Sequence, residues 1–177
     1  LNSGTSIFPG IVQVFSNNVM INQSPVNSGN MGDSVLVDVS IGTFSSGFHE
    51  LSLSLIVEND EDENDNAGLD TLKIRYPFGT LLINEFMSAP NNDQSEFVEL
   101  IAFEDLEMID WGISDNHLDP VHLEPFSVSN GDFILVLSDS NMIDLVDGDA
   151  HLTMPFNFPS LNNSADGIFL FDHTGSI

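Results

Sequence analysis

Cysteine and positive charge are what this sequence most clearly lacks. Its 177 residues contain no cysteine, and 28 Asp and Glu residues outnumber 2 Lys and Arg residues, which gives a formal net charge of -26. Without cysteine there is no disulfide framework, no thiolate chemistry and no Cys-based zinc site. The shortage of Lys and Arg argues against nucleic-acid binding, because those residues supply most of the affinity for phosphates. It also argues against adhesion to an anionic membrane through a basic face.

Long apolar runs are absent as well. No run approaches the roughly 18 residues that a membrane-spanning helix needs, so the sequence predicts no membrane insertion. The start of the chain, Leu1-Asn2-Ser3, does not show the basic start and apolar run that mark a signal peptide. Because the chain does not begin with Met, we expect it to be a piece of a longer protein.

The sequence nevertheless has enough apolar material for a packed core, since 41% of its residues are hydrophobic and 14 are Phe. Apolar and polar residues alternate in several segments, which is typical of strands with one buried face. Strands are predicted at residues 11–15, 35–41, 51–57, 72–76, 81–86, 97–102, 133–137 and 167–171. In the segment 72–76 the alternation places Lys73 and Arg75 on one exposed face. Short strands with Gly- and Asn-rich turns between them indicate an all-β fold of the β-sandwich class.

A turn with both Pro and Gly, at residues 77–80, is the predicted domain boundary, because an apolar strand begins directly after it. The sequence therefore predicts two domains, residues 1–78 and residues 79–177. The first carries 10 acidic and 2 basic residues, whereas the second carries 18 acidic residues and no basic one. The first is also short for a sandwich of about 100 residues, so we expect it to lack an N-terminal strand.

Five ordered segments of the second half carry a family resemblance. They are Ile83-Asn84-Glu85-Phe86-Met87 followed by Pro90, then Glu96-Phe97-Val98-Glu99-Leu100, residues 109–115 around Trp111, the strand at 133–137, and residues 158–167 leading to Leu170, Asp172 and Gly175. In these segments the chain resembles the lamin tail domain, which also occurs in secreted bacterial proteins. The resemblance implies an immunoglobulin-like β-sandwich for residues 81–177.

Two departures from the family pattern carry expectations of their own. The family usually has Gly before Trp where this chain has Trp111 before Gly112, so we expect a different local turn. The family continues past its last glycine into a closing strand, whereas this sequence stops at Ile177, so we expect the last strand to be missing. Trp111, the single tryptophan, is expected at the centre of the sandwich core.

The first half has a likeness of its own, carried by residues 32–41, residues 51–57 and the acidic hairpin before residues 72–76. In these features it is similar to the bacterial cell-adhesion-related domain, another immunoglobulin-like module. The fold predicted for the whole chain is therefore two tandem immunoglobulin-like β-sandwiches.

The acidic segment 58–70 is the candidate calcium site. Asp60, Asp62, Asn64 and Asn66 stand at alternate positions, and such positions can supply the hard oxygen ligands that calcium prefers. An EF-hand is excluded, because a loop that begins at Asp62 has Lys73 in the place of the bidentate Glu. The alternative is a solvated acidic turn between two strands. For the chain as a whole, its acidic excess is explained either by high salt or by bound calcium.

Two further groups of residues have alternative interpretations. Asn84, Glu85, Glu96 and Glu99 could pair carboxylates for acid-base chemistry or a metal, but no activating neighbour is identifiable, which favours a structural role. His117 and His122, with Asp115 and Asp119, could ligate a transition metal or be solvated loop residues. The apolar stretch 154–159 is predicted to pack its Phe residues over the end of the sandwich rather than to form an exposed contact surface.

These features predict a non-catalytic accessory or adhesion module of a larger bacterial protein, located outside the cell or on its surface. Its partner would be a protein or another surface ligand, bound through loops or by strand addition at a sheet edge, and cationic groups would be favoured by the acidic surface. The alternative is that the chain is the appended non-catalytic tail of a secreted hydrolase, a nuclease or phosphatase, because bacterial lamin-tail-like domains occur on such enzymes.

Overall fold

The computed structural model describes residues 9–27, 34–58, 60, 62–91, 94–115, 119–146, 148–162 and 167–175. The described chain is all-β, which confirms the fold class predicted from the alternation. It divides into two compact units, Leu1–Ile74 and Arg75–Ile177. The division lies just before the turn at residues 77–80. Among the described residues, no helix is long and apolar enough to cross a membrane.

Unit 1 contains a four-stranded antiparallel sheet in the order β2-β1-β3-β4. The strands are β1 Gly10–Ser16, β2 Val19–Val26, β3 Gly47–Val57 and β4 Ala67–Ile74. Asn17 and Asn18 form the two-residue turn between β1 and β2, and both have positive φ angles, of 49° and 63°. Asn tolerates this conformation better than most residues, and a turn of this kind matches the twist of the strands.

The strand predicted at residues 35–41 is wrong, because residues 34–45 have no strand pairing. In the described part of unit 1, the outer strands of this sheet, β2 and β4, each have a free edge, but the segment pairs with neither. Alternation alone does not form a strand, because a strand is stabilised by packing against its neighbours and by burial. The segment is held in part by a side chain instead: Asn22 Nδ2 donates to Ser40 O at 2.5 Å. Leu36 is 91% exposed as a result. Among the described residues of unit 1, Val14 has the one buried large apolar side chain.

The described residues of unit 2 form three sheets. Its strands are β5 Leu81–Met87, β6 Phe97–Ala102, β7 Leu106–Glu107, β8 Gly112–Asp115, β9 Val121–His122, β10 Ser127–Val128, β11 Phe133–Leu137, β12 His151–Thr153 and β13 Ile168–Phe171. The sheets have the orders β12-β11-β6-β5, β13-β8-β9 and β10-β7. All pairs are antiparallel except β11 with β12, which run parallel.

One apolar core joins these sheets in a sandwich-like arrangement. In β6 the residues Val98, Leu100 and Ala102 are fully buried, whereas the alternate residues are partly exposed, as the period of two predicts. Ile113 of β8 belongs to the same core, and so does Trp111, which is 4% exposed. The prediction that Trp111 lies in the core is confirmed.

Candidate binding site between two sheet edges

The candidate site lies where two sheets of unit 2 end. β5 is the last strand of the four-stranded sheet, and β13 is the last strand of the three-stranded sheet. Within the part of the chain that the structure describes, β5 pairs with β6 alone and β13 pairs with β8 alone. Each strand therefore has one edge whose backbone groups are not used in a ladder, and such edges are templates for pairing with another strand.

An apolar cavity of about 160 Å³ lies between these two edges. Leu81 and Ile83 of β5 form one side, Ile168 and Leu170 of β13 form the other, and Trp111 contributes to the lining. For comparison, an engineered cavity of about 150 Å³ lined by Leu, Ile and Phe binds benzene. Pockets for drug-sized ligands begin at about 300 Å³. The cavity is therefore suited to one large apolar side chain rather than to a cofactor.

Aromatic contacts hold the inner end of the site. The Tyr76 ring centroid lies 5.6 Å from that of Trp111 and 5.4 Å from that of His173. Burial raises the pKa of Tyr76 above its usual value, the charges of Glu107 and Asp172 raise it further, and a hydrogen bond with the backbone of Glu107 opposes the shift. The indole N–H of Trp111 is buried and has no acceptor among the described residues.

The cavity lining contains one acidic and one basic side chain, Asp172 and Arg75. Asp172 lines the cavity, and its carboxylate accepts hydrogen bonds from Thr174 N at 2.9 Å and Thr174 Oγ1 at 2.6 Å. Arg75 Nε lies 4.0 Å from Asp172 Oδ2. Arg75 is the only basic residue of the sequence from 75 to 177, and its side chain is half exposed. The positive charge of unit 2 is therefore already placed against a carboxylate.

The structure brings three of the four residues in the predicted carboxylate group together. Glu85 of β5 stands directly opposite Glu99 of β6, and Asn84 Nδ2 donates to Glu99 Oε1 at 2.5 Å. The register shifts between Ile83 and Glu85, so Asn84 is the extra residue of a β-bulge. Glu96 has a different contact: its Oε2 accepts from Leu161 N at 3.4 Å. Two like charges directly opposite each other are unfavourable, and they lie beside the open edge of β5.

The four residues of the predicted calcium site are also close together, but they bind one another. Asp62 Oδ1 accepts from Asn64 N at 3.1 Å and from Asn64 Nδ2 at 2.9 Å, which caps the 3-10 turn Glu63–Asp65. Asp60 Oδ2 accepts from Asn66 Nδ2 at 2.5 Å. Amide N–H groups thus face the carboxylates, where a calcium ion needs further oxygens. The described residues contain no group of three or more His, Asp or Glu placed to hold a metal, and calcium binding at these four residues stays a prediction.

The histidines of the chain have varied positions. His117 lies outside the described residues, so the predicted pair with His122 is not described as a site. His151 of β12 stacks on Phe126 at 5.2 Å, and its Nε2 lies 3.2 Å from Asp132 Oδ2. The pKa of Asp132 is lowered, first by the Ser129 N–H that donates to it and then by His151. This pair joins β12 to the turn before β11.

The apolar stretch 154–159 packs only in part. Phe158 contacts the core and Pro159 is buried, as predicted, but Phe156 is 89% exposed. Asn157, between the two Phe residues, has a φ angle of 64°, so the chain turns here and the two rings do not share a face. The prediction that both rings pack is therefore wrong for Phe156.

Sequence reasoning found the strand of Leu81 and the burial of Trp111, but it did not find the cavity. Its two apolar sides come from segments more than 80 residues apart in the chain. The alternation of apolar residues predicts a buried face for β5 and for β13, but it does not predict a cavity between the two strands. Comparison of the chain with models of protein families, with curated proteins and with solved structures finds no match.

Proposed function

We propose that this chain is a non-catalytic binding module of a secreted or cell-surface bacterial protein. In this proposal its units are immunoglobulin-like sandwiches, the second related to the lamin tail domain, and the module acts by holding a protein partner. The acidic surface keeps the module soluble and favours partners that carry positive charge.

The observation that carries the proposal is the open edge of β5 beside an apolar cavity. Proteins that bind extended peptides by strand addition use two elements: backbone groups at a sheet edge for affinity, and adjacent pockets for alternate side chains. β5 and the cavity provide these two elements at one place. Neither element requires a titratable group, a metal or a cofactor, so binding alone is the function that this geometry supports best.

A selection from displayed random peptides tests the proposal. The purified chain is immobilised, and phage carrying random eight-residue peptides are selected on it for several rounds. The control is an immobilised, unrelated protein of similar net charge. A binding module enriches a shared sequence pattern that the control surface does not enrich. Equal enrichment on both surfaces would show that only charge attracts the peptides, and the proposal would fail.

An activity assay tests the non-catalytic part separately. The chain is incubated with model phosphodiester, phosphomonoester and ester substrates, with and without divalent metal ions. We expect no hydrolysis above that of the control protein. Hydrolysis that copurifies with the chain and is lost on unfolding would overturn the assignment as a binding module.

A further inference from the structure

The cavity and the edge of β5 allow the partner itself to be described, and this inference rests on the proposed function. We infer that the site binds an extended strand of another protein, in which apolar side chains on one face alternate with Lys or Arg on the other. One apolar side chain enters the cavity, and a basic side chain lies next to Glu85. The strand adds to β5 as a further strand of the sheet.

The backbone of β5 is in the correct phase to accept such a strand. Phe103 N donates to Thr80 O at 2.8 Å, and Ala102 N donates to Asp132 O at 3.0 Å, away from β5. Hydrogen-bonding directions alternate along an antiparallel strand. The backbone N–H and C=O groups of Thr80 and Leu82 therefore point toward β6, and those of Leu81 and Ile83 point toward the open edge. An added strand can therefore bond to these two residues without breaking a bond of the sheet.

The side chains at the same two positions set the apolar face of the partner. Leu81 is buried, Ile83 is half-buried, and both line the 160 Å³ cavity with Ile168 and Leu170. Paired residues on neighbouring strands project to the same face, so a residue opposite Leu81 or Ile83 points its side chain toward the cavity. A Leu- or Ile-sized group suits this volume, whereas a bulkier ligand does not.

The acidic side chains set the other face of the partner. Glu85 and Glu99 belong to the outer face of the sheet, because Glu99 alternates with the buried Val98 and Leu100. A partner residue beside Glu85 therefore projects to the outer face, next to two carboxylates that repel each other. Lys or Arg at this position relieves that repulsion, and a second copy of this chain is disfavoured because it brings a net charge of -26 and only 2 basic residues.

Peptide titration tests this inference with changes that leave the protein intact. The probe is a capped seven-residue peptide in which four Lys alternate with three Leu, and binding is measured by calorimetry and by the fluorescence of Trp111, the single tryptophan. Replacing Leu by Ala keeps the charge and removes the cavity-filling group. We expect this change to weaken binding about ten- to hundredfold, the effect of losing one buried Leu side chain. Replacing Lys by Glu is expected to abolish binding.

Two protein variants then test the position of the basic side chain. Glu85→Lys is expected to weaken the Lys peptide at least tenfold. Asp149→Lys makes the same change of charge at an exposed position before β12, which is at the opposite end of the sheet, and is expected to change binding less than twofold. Circular dichroism checks that both variants fold as the parent chain does.

The outcomes separate the inference from the proposed function. The inference is overturned if the Leu and Ala peptides bind equally, if both charge variants weaken binding equally, or if Trp111 emission does not change on binding. It is also overturned if Glu85→Lys abolishes self-association of the chain in sedimentation runs, because the occupant is then a second copy. If phage panning enriches a peptide pattern and Glu85→Lys does not change the binding of those peptides, the proposed function stands and the inferred binding site at β5 is wrong. If panning enriches no pattern, the proposed function fails.

Discussion

Replacing Leu100 by Ala tests how the core of unit 2 is built. Leu100 is fully buried in the middle of β6, with Val98 and Ala102 on the same face. The matched control is Leu152→Ala in β12 of the same sheet, since Leu152 is 41% exposed. A buried Leu→Ala change costs about 2–5 kcal/mol, because it removes apolar contacts and leaves a cavity. An exposed one costs at most about 0.5 kcal/mol.

Urea unfolding followed by Trp111 fluorescence measures this difference in unit 2, because unit 1 contains no tryptophan. A loss of about 3 kcal/mol with a denaturant slope of about 1.5 kcal/mol/M lowers the midpoint by about 2 M. For Leu152→Ala the expected decrease is below about 0.4 M. Equal decreases in the two variants would refute the view that Leu100, and not Leu152, belongs to the core around Trp111.

Three other predictions concern pH, packing and calcium. The pKa of Asp139 in the folded protein lies below its usual 3.8, because Ser95 Oγ and Asn141 N donate hydrogen bonds to its carboxylate. The ionised carboxylate therefore stabilises the fold at pH values above 3.8. This stabilisation is lost as the pH falls from 3.8 through the pKa of the folded state. The difference in urea midpoint between the parent chain and Asp139→Ala should therefore shrink from pH 6 to pH 3, and a constant difference would contradict this. Gly112→Ala should destabilise unit 2 by about 1–3 kcal/mol, because the added Cβ would lie 2.9 Å from Val121 O. The control is Gly68→Ala, whose added Cβ has its nearest contact at 3.5 Å and which should cost under about 1 kcal/mol. Thermal melts measure both changes. If Asp60 and Asp62 only cap their own turn, millimolar calcium chloride should raise the melting temperature no more than sodium chloride of matched ionic strength; a larger rise that Asp60→Asn removes would restore calcium as a ligand.

The strands that the sequence located best are short runs, rich in apolar residues, that contribute to the core of unit 2. The strands at 97–102 and 133–137 were predicted with the bounds that the structure has. Alternation in residues 35–41 was regular and formed no strand, because a strand also needs packing against its neighbours, whereas Val35 and Leu36 of this segment are exposed. In the opposite direction, β2 was missed, because its residues are nearly all exposed and its pairing with β1 is set by the Asn17–Asn18 turn.

The sequence by itself determined the charge, the all-β class and the burial of Trp111. These properties depend on amino-acid composition and on the local pattern of apolar residues, and both can be read from the sequence without the tertiary structure. The tertiary structure alone decided that Glu85 faces Glu99, and that the edges of β5 and β13 leave an apolar cavity between them. Leu81 and Leu170 are 89 positions apart in the chain, and only the packing of two sheets onto one core brings such residues together.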